Sequence, residues 1–357
     1  MKIRTPVPAL GITGLMTLAA AGGLTLLPPE APQPTSSLTN VFARTEESAS
    51  YTLKYGWKDF KGTSRTISFD IDKDVLASAE KEFGYRQEDL DRHLEAWSAA
   101  RNEEMIADLK ALVRFLIDEG GHGEYIILQE KGPLEFTLKL SVPFDIQDRV
   151  KPAYDAIRIR LADEYASASK KIEAGLDAEK TRYLVSRGLA SEGKAFRVDY
   201  PRSVRNNTPR VRHVLEVLRA IDEKLNIRDF LGLSLSFIQH ILYRVPPTVE
   251  DGKVILGFWT PPRVLVDNLG DCDSKAVAFA SIWLNFKKYP VVLIRVPEHM
   301  FVGVAVPSWE TGGLTINGLR YTLCEVSPNK RVPPGQITYY SSTYLNSGRY
   351  RYEIVSD

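Results

Sequence analysis

Cysteine is almost absent: Cys272 and Cys324 are the two in 357 residues. That excludes a scaffold built on several disulfides, and with no Cys-x-x-Cys pair it argues against a thiol redox protein. Two cysteines leave one disulfide, two free thiols, or one reactive and one buried thiol. An excess of one charge is missing too. The 46 Lys and Arg against 45 Asp and Glu leave a net +1, so nucleic acid is not an expected partner. No internal repeat is present. What remains is an ordinary globular composition, 44% hydrophobic and 25% charged, long enough for one large domain or two.

The N-terminus reads as a targeting segment. Lys2 and Arg4 form a short basic region, and Val7 to Leu27 carries no charge. Ala19-x-Ala21 resembles a cleavage site and suits a secretory signal. Taken to Leu27, the run is about the ~20 residues that span a bilayer, which suits an inner-membrane anchor. Either puts the rest of the chain outside the cytoplasm, in the periplasm or cell envelope. Residues 28–48, with Pro28, Pro29, Pro32 and Pro34, read as a linker.

The body of the chain divides by periodicity. Tyr51–Trp57 and Arg65–Ile71 alternate polar and apolar residues around Asp59-Phe-Lys-Gly-Thr-Ser and predict a hairpin. Leu90, Leu94, Trp97, Ile106, Leu109, Val113 and Leu116 recur at helical spacing, and Gly120-Gly121 stops that helix. A second strand pair is expected around Lys131-Gly-Pro. A long charged helix is expected from Val150 to about Ser191, its charges being a solvated face or a docking surface for a protein partner. The pattern breaks at Val198–Asn207. These features predict an N-terminal α+β domain over 49–204 and a second domain over 205–357. In the second, Thr208-Pro209 is expected to open a helix, and another is expected from Ser234.

The chemistry gathers in Gly270-Asp-Cys-Asp-Ser-Lys275. Asp271 can cap a helix beginning at Cys272, whose face holds Ala276, Phe279, Ile282 and Trp283. A cysteine in a first turn meets the helix dipole and unpaired N–H groups, both of which favour thiolate. Such N–H groups could also hold a tetrahedral oxyanion. Val291–Val296 is a buried strand, and His299 opens the next one at the sheet rim. Asn317-Gly318 marks a hairpin, and alternation puts Leu323 and Glu325 on one face and Cys324 on the other. A base at His299 would take the thiol proton, and an acid at Glu325 would fix the imidazole and stabilise its charged form. A Cys272–Cys324 disulfide is the structural alternative.

Gly-Asp-Cys, a strand-initial His and an acid followed by x-Ser-Pro together resemble the transglutaminase-like superfamily of papain-type thiol enzymes. Upstream, Phe237-Ile-Gln-His-Ile-Leu-Tyr243 and Trp259-Thr-Pro-Pro-Arg-Val-Leu265 are similar to its bacterial cysteine proteinases, and the likeness covers about 205–340. The resemblance implies an α+β fold, with a catalytic helix packed on an antiparallel sheet. It implies Cys272 as nucleophile, His299 as base and Glu325 as third member, with Gln239 or Trp259 assisting at the oxyanion. The family more often has Asp where Glu325 stands. Some bacterial relatives bind calcium, for which Asp267, Asp271 and Asp273 could supply oxygens; no other cofactor is implied. The expectation is an exported thiol hydrolase or acyl transferase acting on peptide or isopeptide amides, a protease before a cross-linker. The alternative is a non-catalytic envelope module that binds a peptide or scaffolds a partner.

Overall fold

The computed structural model describes residues 2–3, 41–307, 313–328 and 330–355. The expected signal or anchor, and the linker up to residue 40, lie outside the described residues apart from Lys2 and Ile3. No helix among the described residues is long and apolar enough to cross a membrane. Helix makes up 47% and strand 27%, so the chain is mixed α+β, as expected.

The linker is shorter than 28–48, because Val41–Glu46 is already a strand, β1. It pairs antiparallel with β2 (Ser50–Lys58), which pairs with β3 (Ser64–Asp72) as the predicted hairpin. The alternation has its physical counterpart here: Leu53, Tyr55, Trp57, Ile67, Phe69 and Ile71 are buried while their neighbours face outward. The helix α1 (Lys73–Glu82) follows.

The expected domain boundary moves. The described residues form two compact units: 87–183 belong to one, and 41–86 join the described residues of 184–355 in the other. In the first unit α2 (Gln87–Glu119) and α3 (Gln147–Ser186) flank a hairpin of β4 (Ile126–Gly132) and β5 (Glu135–Leu140). Ile106, Leu109, Val113, Phe136, Leu138, Ile157 and Leu161 share its core.

The predicted N-terminal hairpin therefore belongs with the second unit rather than with the long helices. Its buried face explains why. Trp57 Nε1 donates to Ser236 Oγ at 2.9 Å, and the Tyr55 ring meets Phe237 edge-on at 5.1 Å. The break expected at Val198–Asn207 is a helix, α4 (Tyr200–Asn207), with Asp199 accepting from the Arg202 N–H and Pro201 in its first turn. Thr208 and Pro209 open a 3-10 turn, Pro209–Val211, that runs directly into the next helix, but the Thr208 side chain makes no capping bond. Its hydroxyl donates back to the Val204 carbonyl at 2.8 Å, and α5 (Arg212–Ala220) begins after that turn. The helix expected from Ser234 starts earlier, as α6 (Ile227–Ile238), because the Asn226 side chain caps it by accepting from the Arg228 and Asp229 N–H groups.

A seven-residue helix, α7 (Pro261–Asp267), leads to α8 (Cys272–Leu284), the central helix of this unit. Ser274 to Leu284 is buried on every side, as expected for a helix apolar around most of its circumference. A side chain such as Phe279, fully buried, contributes ~1.5–3 kcal/mol. Beside it lies a five-stranded antiparallel sheet made of β6 (Val291–Val296), β7 (His299–Val304), β8 (Gly313–Ile316), β9 (Leu319–Cys324) and β10 (Arg351–Val355). Its order is β8-β9-β7-β6-β10. One face holds Val292, Ile294, Phe301, Tyr321 and Leu323, covered in part by Tyr344 and Leu345 of α9 (Tyr339–Asn346). Asn317 and Gly318 both take positive φ, 50° and 79°, which the two-residue turn between β8 and β9 requires.

Candidate active site

Three connections aim side chains into one cleft. Asp271 caps α8, its carboxylate accepting from the Ser274 N–H at 3.2 Å, so Cys272 opens the helix as the sequence predicts. Pro297-Glu298 joins β6 to β7 in two residues, and the pair Val296↔His299 closes the hairpin, so His299 stands at the rim. Glu325 directly follows β9, which pairs with β7. Cys272 and His299 line the same cleft of about 680 Å³.

His299 Nε2 lies 2.7 Å from Glu325 Oε2. That contact leaves Nδ1 as the nitrogen for a thiol. Glu325 is fully buried. Its other oxygen accepts from the Thr338 N–H at 3.2 Å, the Thr338 hydroxyl at 3.1 Å and the Ser341 hydroxyl. Burial pushes this carboxyl upward, but His299, Ser341 and Thr338 outweigh it and hold it below the usual glutamate range. Thr338 is the N-cap of α9, so the extra methylene of Glu reaches a helix N-terminus on the far side of the imidazole.

Gln239 is not at an oxyanion position. Its Nε2 donates to the Glu325 carbonyl at 2.6 Å and the Val332 carbonyl at 2.7 Å, and its Oε1 accepts from the Val332 N–H at 3.2 Å. The amide is spent on backbone and holds the segment that carries Glu325. Trp259 is buried outside the cleft lining. Its backbone N–H donates to Ser274 Oγ at 3.1 Å, Arg263 stacks over its ring at 5.0 Å, and its indole N–H is buried without a partner.

The thiol departs from the sequence expectation. Burial, then Asp273 and Asp271 beside it, push the Cys272 thiol up, against the backbone N–H groups of Met300 and Asp273. The first-turn position does favour thiolate, but desolvation and two carboxylates win. Asp271 is itself pushed up to about 8 by burial and by Asp273, whose Oδ2 accepts from the Tyr200 hydroxyl at 2.5 Å. Cys324 is fully buried, and both cysteines are free, so the disulfide alternative falls.

The aspartate trio does not make a calcium site. Asp267 is taken by Arg44 at 2.8 Å and Arg263 at 3.2 Å, and two guanidiniums beside it oppose a cation. Among the described residues no group of three or more His, Cys, Asp or Glu is placed to hold a metal.

Sequence reasoning missed Tyr200, Thr338, Ser341 and Lys275. Thr338 carried a signal, being a capping residue shortly after the acid. Lys275 Nζ is buried and donates to the Ile241 carbonyl at 2.8 Å. Burial brings it down to about 7, with Cys272 and Asp271 opposing.

Comparisons with known proteins add no relative: no family model, no curated protein and no solved structure matches this chain.

Proposed function

We propose that the chain is a thiol-dependent hydrolase or acyl transferase of the transglutaminase-like, papain-type class, acting on peptide or isopeptide amides. The observation that carries this reading is the 2.7 Å contact of His299 with a buried, ionised Glu325, on an imidazole that lines one cleft with Cys272. The raised thiol sets the order of events. Cys272 attacks as a thiol whose proton passes to His299, rather than as a thiolate formed in advance. Glu325 stabilises the imidazolium, which then protonates the leaving amine. Water completes hydrolysis through the same base. Proteolysis is the reading preferred over cross-linking, which would need a second site for the acceptor amine. The uncharged segment 7–27 behind Lys2 and Arg4 supports export to the periplasm or envelope.

The test is acylation by an activated ester, p-nitrophenyl acetate, followed by mass spectrometry of the intact chain. One acyl group on Cys272 is expected, absent in Cys272→Ala. His299→Ala should slow acylation at least a hundredfold, the size of a general-base contribution. Equal acylation with and without His299 would overturn the reading. A binding module without turnover is the second reading, and the observation favouring it is the thiol held high by burial. That reading predicts the equal rates.

A further inference from the structure

Two arginines that line the cleft, Arg295 and Arg349, have no carboxylate partner among the described residues, and Arg349 lies over the Tyr344 ring at 5.2 Å. Arg295 lies on β6 and lines the cavity together with Cys272 and His299. Its Nε is buried with no hydrogen-bond partner. Among the described residues no carboxylate pairs with its guanidinium, whereas Arg351 is held by Glu192 at 2.5 Å.

The strand register makes this more costly. Arg295 stands directly opposite Arg351 across the antiparallel β6–β10 pair. Like charges in that relation destabilise a sheet, and a buried donor left unpaired costs more again. On the other side Arg295 faces Met300, the residue whose backbone N–H meets the Cys272 sulfur. The unpaired guanidinium is thus one cross-strand step from the backbone that touches the nucleophile.

No acidic group that lines the cleft is hydrogen-bonded to Arg295. Asp271 is engaged at the cap of α8, Asp273 with Tyr200, and Glu298 is on the turn after Pro297. An arginine placed so, in a fork suited to carboxylate, is a recognition group without its ligand.

We propose that Arg295 is the specificity-determining residue of this cleft and binds a carboxylate carried by the acyl substrate, close to the carbonyl that Cys272 attacks. The proposal rests on the thiol-enzyme reading and narrows its substrate class to acyl donors with an adjacent carboxylate. That carboxylate has two sources. It is an acidic side chain beside a main-chain amide, or the free main-chain carboxylate of a residue linked through its side chain.

The test compares two alkylating probes on Cys272 of the full chain, anionic iodoacetate and neutral iodoacetamide; buried Cys324 stays silent. The ratio of the two rates reports the anion site, and the iodoacetamide rate alone reports the thiol. Arg295→Gln should lower the ratio about tenfold, the worth of one partly screened charge contact, and leave the iodoacetamide rate unchanged. Arg295→Lys, which keeps the charge, should retain most of the ratio, and circular dichroism checks that both variants fold. An Arg295→Gln ratio equal to wild type, or no lower than that of Arg351→Gln, overturns the proposal while leaving the thiol reading intact. A Cys272 inert to both probes overturns both.

The isomers N-acetylisoglutamine and N-acetylglutamine separate the sources through their protection of Cys272 from iodoacetamide. The first offers a side-chain carboxylate and the second a main-chain one. Protection by either should disappear in Arg295→Gln, and protection that persists there also overturns the proposal.

Discussion

Glu325 and Asp271 are both buried carboxylates within the same unit, and they end in opposite states. Glu325 receives Nε2 of His299, two hydroxyls and a backbone N–H, and is held below the usual range. Asp271 receives the hydroxyl and the backbone N–H of one residue, Ser274, and has Asp273 as a like-charged neighbour, and it rises to about 8. Burial acts upward on both. The number of donors and the sign of the nearest charge decide the outcome. The difference assigns each its work. Glu325 is a permanent charge able to stabilise an imidazolium, while Asp271 is chiefly a helix cap that can hold a proton.

The largest effect should come from breaking the better-satisfied group. Glu325→Ala leaves the Thr338 and Ser341 donors and a half-buried imidazole unpaired, at a cost of about 3–5 kcal/mol. Glu325→Gln keeps the shape and should cost about 1–2 kcal/mol, yet still lower the acylation rate roughly a hundredfold by removing the charge behind His299. The sign with pH follows from the depressed pKa. The folded value lies below the ordinary 4.5, so this stability is present above pH 4.5 and lost as pH falls through the folded value. Urea unfolding against pH should show wild type weakening below pH 4.5 and Glu325→Ala much flatter there. Equal slopes would remove the ionised-glutamate account.

The same asymmetry explains what could be read in the sequence. The positions of Cys272, His299 and Glu325 in their elements were legible because each is fixed by local grammar: a cap before a helix, a two-residue turn, the alternation of β9. The partners that set their charge states were not. Thr338 and Ser341 reach Glu325 from a helix 13 and 16 residues on, and Tyr200 reaches Asp273 across 73 residues. The fold shows the same division. The Tyr51–Ile71 hairpin and the long helices were plain from periodicity, but which of them share a core depends on Trp57 meeting Ser236 and Tyr55 meeting Phe237. No period in the chain records those contacts. Gln239 was misassigned for a related reason, since residue type and position cannot show that its amide is spent on the carbonyls of Glu325 and Val332.

A smaller effect, of opposite sign, should come from Asp271. Its pKa is raised from 3.8 to about 8, so wild type is favoured below pH 3.8 and loses stability as pH rises through 8. Asp271→Asn keeps an oxygen to cap Ser274 and removes the charge. It should melt higher than wild type at pH 9, by roughly 2–4 °C for each kcal/mol recovered in a unit of this size, and converge with it below pH 4. Because ionised Asp271 also helps to hold the Cys272 thiol up, the variant should react faster with iodoacetamide at pH 9, where the wild-type carboxylate is charged. A lower melting temperature at pH 9 would mean that the charge, not the cap, is what the site needs.

The finest distinction lies within the Glu325 cradle itself. Ser341 and Thr338 both serve Oε1, whereas Oε2 faces His299. Removing one hydroxyl in Ser341→Ala leaves the Thr338 N–H and hydroxyl in place, so the expected loss is about 1 kcal/mol. The carboxyl should titrate higher than in wild type, because a donor that favoured the charged form is gone and burial is unchanged. The acid-side loss of stability in urea should therefore begin at higher pH in Ser341→Ala while the acylation rate at neutral pH changes little, since the contact to His299 is intact. A drop in that rate without movement of the acid-side stability loss would show that Ser341 shapes the geometry of the site rather than the charge of Glu325.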